Sequence, residues 1–191
     1  MSARRSIAHA RIAELRGTVL EPWMRAALLF LGAVLLAVVA GLRLNVTPSY
    51  PLGFYRVEGD GADVVRGSIV TVCLQEEWAR FGLSRGYLGS GWCPGGSYPL
   101  GKMVLATGGD IVETTPAGIT VNGRAVHRSR TLPRDAHGRA LPHFPFGRHC
   151  LRDGDLWLYS PYTAAAYDSR YFGPVGVDRV QAVVRPVWTW R

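Results

Sequence analysis

The longest unbroken run of apolar side chains lies near the amino terminus. Residues 26–42 read Ala-Ala-Leu-Leu-Phe-Leu-Gly-Ala-Val-Leu-Leu-Ala-Val-Val-Ala-Gly-Leu, between Arg25 and Arg43. At ~1.5 Å per residue this run spans about 26 Å as a helix, and Trp23, Met24 and Leu44 bring it to the ~20 residues of a bilayer crossing. A cleaved signal peptide and a buried core helix are the competing readings. The run is long for a signal-peptide core, and no clean small-x-small cleavage pattern follows it, so a membrane anchor fits better. The chain divides on this reading into a basic arm (1–25), a transmembrane helix (26–44) and a β-rich domain (45–191).

Beyond Arg43 the apolar positions alternate over short stretches. Gly67-Ser68-Ile69-Val70-Thr71-Val72-Cys73 predicts a strand. Met103 to Ala106 and Asp110 to Thr114 predict two more, joined by a turn at Thr107-Gly108-Gly109. Gly118 to Val121, then Asn122-Gly123, then Arg124 to Val126 is a hairpin signal, because Asn-Gly supplies positive φ at both turn positions. Asp155 to Tyr159 and Gln181 to Val184 complete the set. Helical periodicity is weak outside Glu76 to Phe81, and residues 130–150 read as an exposed loop rich in Pro, His and Arg. The expected fold is mainly β: an antiparallel, strongly twisted sheet domain after one transmembrane helix.

Charge fixes the expected orientation. Arg4, Arg5, Arg11, Arg16 and Arg25 precede the span against Glu14 and Glu21, so the arm is expected in the cytoplasm and the domain in the periplasm. Ile7 to Leu20 reads either as an amphipathic helix on the inner membrane surface or as a solvated arm. The net charge of +8 carries no basic cluster with interleaved aromatics, and no nucleic-acid partner is expected. In an oxidising compartment Cys73, Cys93 and Cys150 give one disulfide and one free thiol, with Cys73–Cys93 the favoured pair because it closes an irregular loop. A zinc site on Cys150, His143 and His149 matches no common ligand spacing. Asn45-Val46-Thr47 is a glycosylation sequon close to the expected bilayer surface.

The basic residues hold a sharper clue. Of 22 lysines and arginines one alone is a lysine, Lys102, in the apolar run Gly101-Lys102-Met103-Val104-Leu105-Ala106. Arginine stays charged in any protein site, whereas a desolvated lysine can lose its proton near neutral pH and act as a base. Upstream, Ser49 lies between Pro48 and Pro51, which stiffen its segment. A serine hydroxyl attacks only when a base takes its proton, and a neutral lysine is one such base. The bland alternatives are an arginine-rich composition and an ordinary Ser-Pro turn. Ser49 follows Arg43 by six positions, so an extended chain keeps it within ~20 Å of the span's end. Its natural substrates are then membrane-tethered or newly exported chains. The Ser49 N–H and the Thr47 hydroxyl are candidate donors to an acyl oxyanion.

Four stretches resemble the type I signal peptidase family, above all its TraF-type conjugative-transfer members. Thr47-Pro48-Ser49-Tyr50-Pro51-Leu52-Gly53-Phe54-Tyr55 is similar to the nucleophile box. Arg85-Gly86-Tyr87-Leu88 to Cys93-Pro94-Gly95-Gly96, leading to Pro99-Leu100-Gly101-Lys102, resembles the TraF-type approach to the base. Gly109-Asp110-Ile111-Val112 with Val121-Asn122-Gly123 resembles the family hairpin, and Tyr167-Asp168-Ser169-Arg170-Tyr171-Phe172-Gly173 its C-terminal box. The resemblance implies a Ser/Lys dyad of Ser49 and Lys102 without metal or cofactor, Thr47 and Ser49 as oxyanion donors, and Asp168 and Arg170 as a supporting pair. A structural salt bridge is the alternative for that pair. The implied substrate is an exported propeptide, a pilin precursor in TraF-type members, with hydrolysis or cyclisation as the outcome. Three positions depart from the family pattern: Tyr50 in place of methionine, Gly108 in place of proline, and Ala166 in place of a serine that orients the lysine. Ser160, Thr163 or a backbone carbonyl could substitute for that serine.

Other readings are a housekeeping preprotein peptidase and a non-catalytic envelope scaffold, the latter favoured only by Ala166. A histidine-based hydrolase is a weaker rival, because His127, His137, His143 and His149 fall in loop-like sequence without a Gly-x-Ser-x-Gly elbow.

Overall fold

The computed structural model describes residues 21–190, so the reading of Ile7 to Leu20 as an amphipathic helix lies outside the described residues. Helix α1, Pro22–Val39, has Pro22 at its first position and no buried residue. It is long and apolar enough to cross a membrane. The helix begins four residues before the expected span. It ends before Gly41, whose φ of +81° breaks the helical path. Leu42 to Leu44, read as the tail of the span, instead form a strand. The apolar run masks this boundary because both segments are hydrophobic.

Residues 41–190 form a separate compact unit. Its strands are β1 Leu42–Asn45, β2 Leu52–Gly59, β3 Ile69–Val72, β4 Leu100–Thr107, β5 Ile111–Thr115, β6 Gly118–Val121, β7 Arg124–Ala125, β8 Gly147–Cys150, β9 Asp155–Tyr159, β10 Val175–Gly176 and β11 Val180–Trp190. Helices α2, Glu76–Arg85, and α3, Ser169–Phe172, are inserted between them. Seven strands make one sheet in the order β1-β2-β11-β3-β4-β9-β10, and four make a second in the order β7-β6-β5-β8. Neighbouring strands in both sheets pair antiparallel.

Strand β4 explains how the lone lysine becomes a core residue. Its alternation buries Leu100, Lys102, Val104 and Ala106 and leaves Gly101, Met103 and Leu105 half-buried. Lys102 therefore takes an apolar position in the period-2 pattern. Val70, Val72, Val104, Leu158 and Tyr171 lie in the same buried cluster, while Ala106, Val112, Ile119 and Trp157 form a second. β4 passes into β5 through a turn held by Asp110, which accepts from the Thr107 N–H at 2.9 Å, from Asn122 Nδ2 at 3.1 Å and from Arg66 Nε at 2.7 Å.

Helix α2 carries Glu76 and Glu77 in its first turn and Arg85 in its last, both favourable to the helix dipole, and stops at Gly86 in the left-handed region. It runs four residues beyond the expected Phe81. A disulfide joins Cys73 to Cys93 across this insertion, and Cys150 is free and exposed. His149 Nε2 lies 2.9 Å from the Pro145 carbonyl and His143 Nδ1 lies 2.8 Å from that of Phe144, so both imidazoles engage main chain.

Residues 130–150 are not simply an exposed loop. Gly147–Cys150 pairs with β5, and Thr131 and Leu141 are buried. Gly-Arg-His-Cys carries no apolar alternation, so only its distant partner strand makes it β.

Candidate active site

Three segments meet at Ser49. The first is the turn after β1. Asn45 is buried, and its Nδ2 donates to the carbonyls of Thr47, Tyr50 and Pro51 at 2.9, 3.0 and 3.0 Å. Its Oδ1 accepts from the Thr47 N–H at 3.0 Å and from the Thr47 hydroxyl at 2.8 Å. One amide thus organises the turn that carries Ser49. Sequence reasoning saw Asn45 only as a sequon; the useful signal was a hydrogen-bonding residue just before a Pro-rich turn.

The second segment is β4. Lys102 Nζ lies 2.9 Å from Ser49 Oγ and 3.1 Å from the Gly101 carbonyl. Lys102 is 1% exposed. Burial disfavours its ammonium and pushes its pKa from 10.5 down to about 8; the Asp168 carboxylate pulls the other way, and Arg170 adds to the depression. Gly101 is glycine for a visible reason: a Cβ there would meet Tyr50 Cε1 at 2.3 Å. The Tyr50 ring, set edge-on to Tyr55 at 4.9 Å, seats the Ser49 turn on β4 through this gap.

The third segment runs from the end of β9 to α3. Asp168 and Arg170 form a fully buried pair, with Arg170 Nε 2.8 Å from Asp168 Oδ1 and Nη2 2.8 Å from Oδ2. Arg170 also donates to the carbonyls of Arg130, Ala164 and Ala166. Asp168 accepts the Arg170 N–H that opens α3 and, at 3.3 Å, the Ser160 N–H. This pair is the framework to which residues 160–170 are tied.

Of the three groups the sequence offers to orient Lys102, the one that contacts its Nζ is a main-chain carbonyl, that of Gly101. Ser160 Oγ donates to the Ser49 carbonyl at 2.6 Å, and Thr163 Oγ1 accepts from the Ala165 N–H at 3.3 Å. Ala166 presents only a methyl. The Ser49 N–H has no hydrogen-bond partner among the described residues. The single proton of the Thr47 hydroxyl goes to Asn45, so Thr47 can serve an oxyanion only by rotating away. A cavity of about 830 Å³ opens onto Ser49 and Lys102, walled by Leu100, Leu132, Leu141, Ala166 and Tyr167 among others. His127, His143 and His149 are not among its lining residues; His137 is, in a loop held by Asp135.

A buried amine in contact with a hydroxyl, facing an apolar cleft, is an arrangement suited to acyl transfer. The chain is 40% identical over 171 residues to the conjugal transfer protein TraF of Agrobacterium fabrum, covering 86% of this chain and 92% of that protein. It is 37% identical over 166 residues to a plasmid transfer protein TraF of Escherichia coli, covering 86% and 91%. A signal peptidase I structure from Enterococcus faecalis aligns with 64% of this chain and 97% of its own, at 14% identity and a TM-score of 0.38. The family model described as signal peptidase, peptidase S26, matches residues 19–190, and the chain belongs to this family of serine peptidases.

Proposed function

We propose that this chain is a membrane-anchored endopeptidase with Ser49 as nucleophile and Lys102 as general base. Its substrate is an exported, membrane-tethered propeptide of a conjugation system, a pilin precursor. The contact of 2.9 Å between Lys102 Nζ and Ser49 Oγ carries the reading. The naming of the relatives as conjugal and plasmid transfer proteins supports the substrate class. Helix α1 is the anchor in the inner membrane, with the arginine-bearing arm in the cytoplasm and the β domain in the periplasm.

Neutral Lys102 takes the Ser49 proton as Oγ attacks the scissile carbonyl. The oxyanion is met by the Ser49 N–H, and by the Thr47 hydroxyl once it turns from Asn45. The resulting ammonium returns the proton to the leaving amine as the C–N bond breaks. Water then releases the acyl group, or the substrate's own amine does so and closes a ring. Asp168 and Arg170 hold the third segment in place, and no step calls on a cofactor.

Mass spectrometry of the pilin precursor co-expressed with this chain tests the reading. Shortened pilin is expected with the native enzyme and only the precursor with Ser49→Ala. A product one water lighter than the linear cleaved chain marks cyclisation. Cleavage by Ser49→Ala at the native level contradicts the nucleophile assignment.

A further inference from the structure

We propose that Ser160 is a positioning residue that holds the main-chain carbonyl of Ser49, and with it the nucleophile, against Lys102. The proposal rests on the Ser49–Lys102 reading above and adds the element that keeps the two together.

Asn45 accounts for the carbonyls of Thr47, Tyr50 and Pro51 but not for that of Ser49 itself. The Ser49 carbonyl is taken by Ser160 Oγ at 2.6 Å, across 111 positions of sequence. Without that bond the Ser49 carbonyl loses its hydrogen bond to the rest of the domain, and rotation of its peptide plane swings Oγ. Ser160 is well placed to supply the restraint. β9 pairs with β4 at Tyr159 and Met103, so one step along the antiparallel ladder sets Ser160 level with Lys102 on the same face. Ser160 is 1% exposed, and its N–H is fixed to Asp168, whose carboxylate is locked by Arg170. A continuous path therefore runs from the buried ion pair through Ser160 to the nucleophile. A hydroxyl has one proton to give, and Ser160 spends it on Ser49, so it acts on the position of the nucleophile rather than on the basicity of the amine.

The test compares Ser160→Ala and Ser160→Cys with the native enzyme and Ser49→Ala in the full-length, membrane-embedded chain. The assay uses a peptide spanning the cleavage junction of the pilin precursor. Small misplacements of a reacting group cost up to ~10²-fold, so kcat is expected to fall ~10- to 100-fold in both variants. KM should change less than about threefold, and the midpoint of the pH profile should not move. Native kcat in either variant overturns the proposal. So does a displaced pH midpoint with full kcat at the new optimum, which would make Ser160 a partner of the amine. Loss of the folded state in both variants, read by melting, would make Ser160 structural and also overturn it. Activity in Ser49→Ala would instead remove the underlying nucleophile assignment, so the two failures are distinct.

Discussion

Lys102→Met is expected to lower kcat/KM by ~10⁴-fold or more, the scale seen when one member of a nucleophile–base unit is removed, while raising the melting temperature. The opposite signs follow from one fact. Lys102 occupies a core position of β4 at 1% exposure, and the depression of its pKa from 10.5 to about 8 measures the cost of charging it there. At ~1.36 kcal/mol per unit the cost is on the order of 3 kcal/mol. A folded-state pKa below the unfolded one penalises the fold fully below pH 8, and the penalty disappears as pH rises toward 10.5. Methionine fills a similar volume without charge, so the gain over the native chain should be largest at pH 7 and fade above pH 8. Lys102→Arg should be equally inactive, since a guanidinium cannot surrender its proton, and should lose stability instead. Peptide cleavage and calorimetry on the same samples check both. Activity in Lys102→Arg would remove the base from the mechanism.

Arg170→Met should produce the largest loss of stability. Both members of the Asp168–Arg170 pair are fully buried, and removing one strands the other charge in the core, at about 3–5 kcal/mol. For a domain of this size the melting temperature should drop by roughly 10 °C. Three carbonyls, of Arg130, Ala164 and Ala166, lose their donor at the same time. Asp168→Asn also leaves a buried charge, that of Arg170, without its partner, but it carries a second, electrostatic effect. It removes the charge that raises the Lys102 pKa and leaves the one that lowers it, so the acid limb of the rate profile should move to lower pH. Thermal melts of both variants and a pH series of kcat/KM for Asp168→Asn read these effects; an unshifted limb would mean that Asp168 does not act on Lys102.

The parts legible in sequence were those with local signals. The Asn122-Gly123 turn forms with Asn122 at φ 50° and Gly123 at φ 76°, and the strands around Val70, Met103, Val112 and Leu156 lie where alternation put them. Ser49 and Lys102 stand out in the sequence because one serine and one lysine sit in unusual company, and the fold brings the two side chains into contact. Partners defined only by long-range pairing were not legible. β11 runs to Trp190, far beyond the expected Val184, because β2 pairs with it; Pro186 is tolerated where β3 has already left its flank and the register shifts. Asn45 was missed because its role depends on three carbonyls that come together only when the turn folds back on β1. The bond from Ser160 to Ser49 was beyond reach, since nothing local links positions 111 residues apart.

The solitary lysine makes the central claim measurable without assignment. Lysine labelled with ¹³C at Cε gives a single side-chain resonance from this chain, that of Lys102. Titrated in Ser49→Ala, which cannot turn over, its midpoint should fall near pH 8 and coincide with the acid limb of kcat/KM in the native enzyme. A midpoint near 10.5, as for an amine in water, would contradict a neutral Lys102 acting as the base for Ser49.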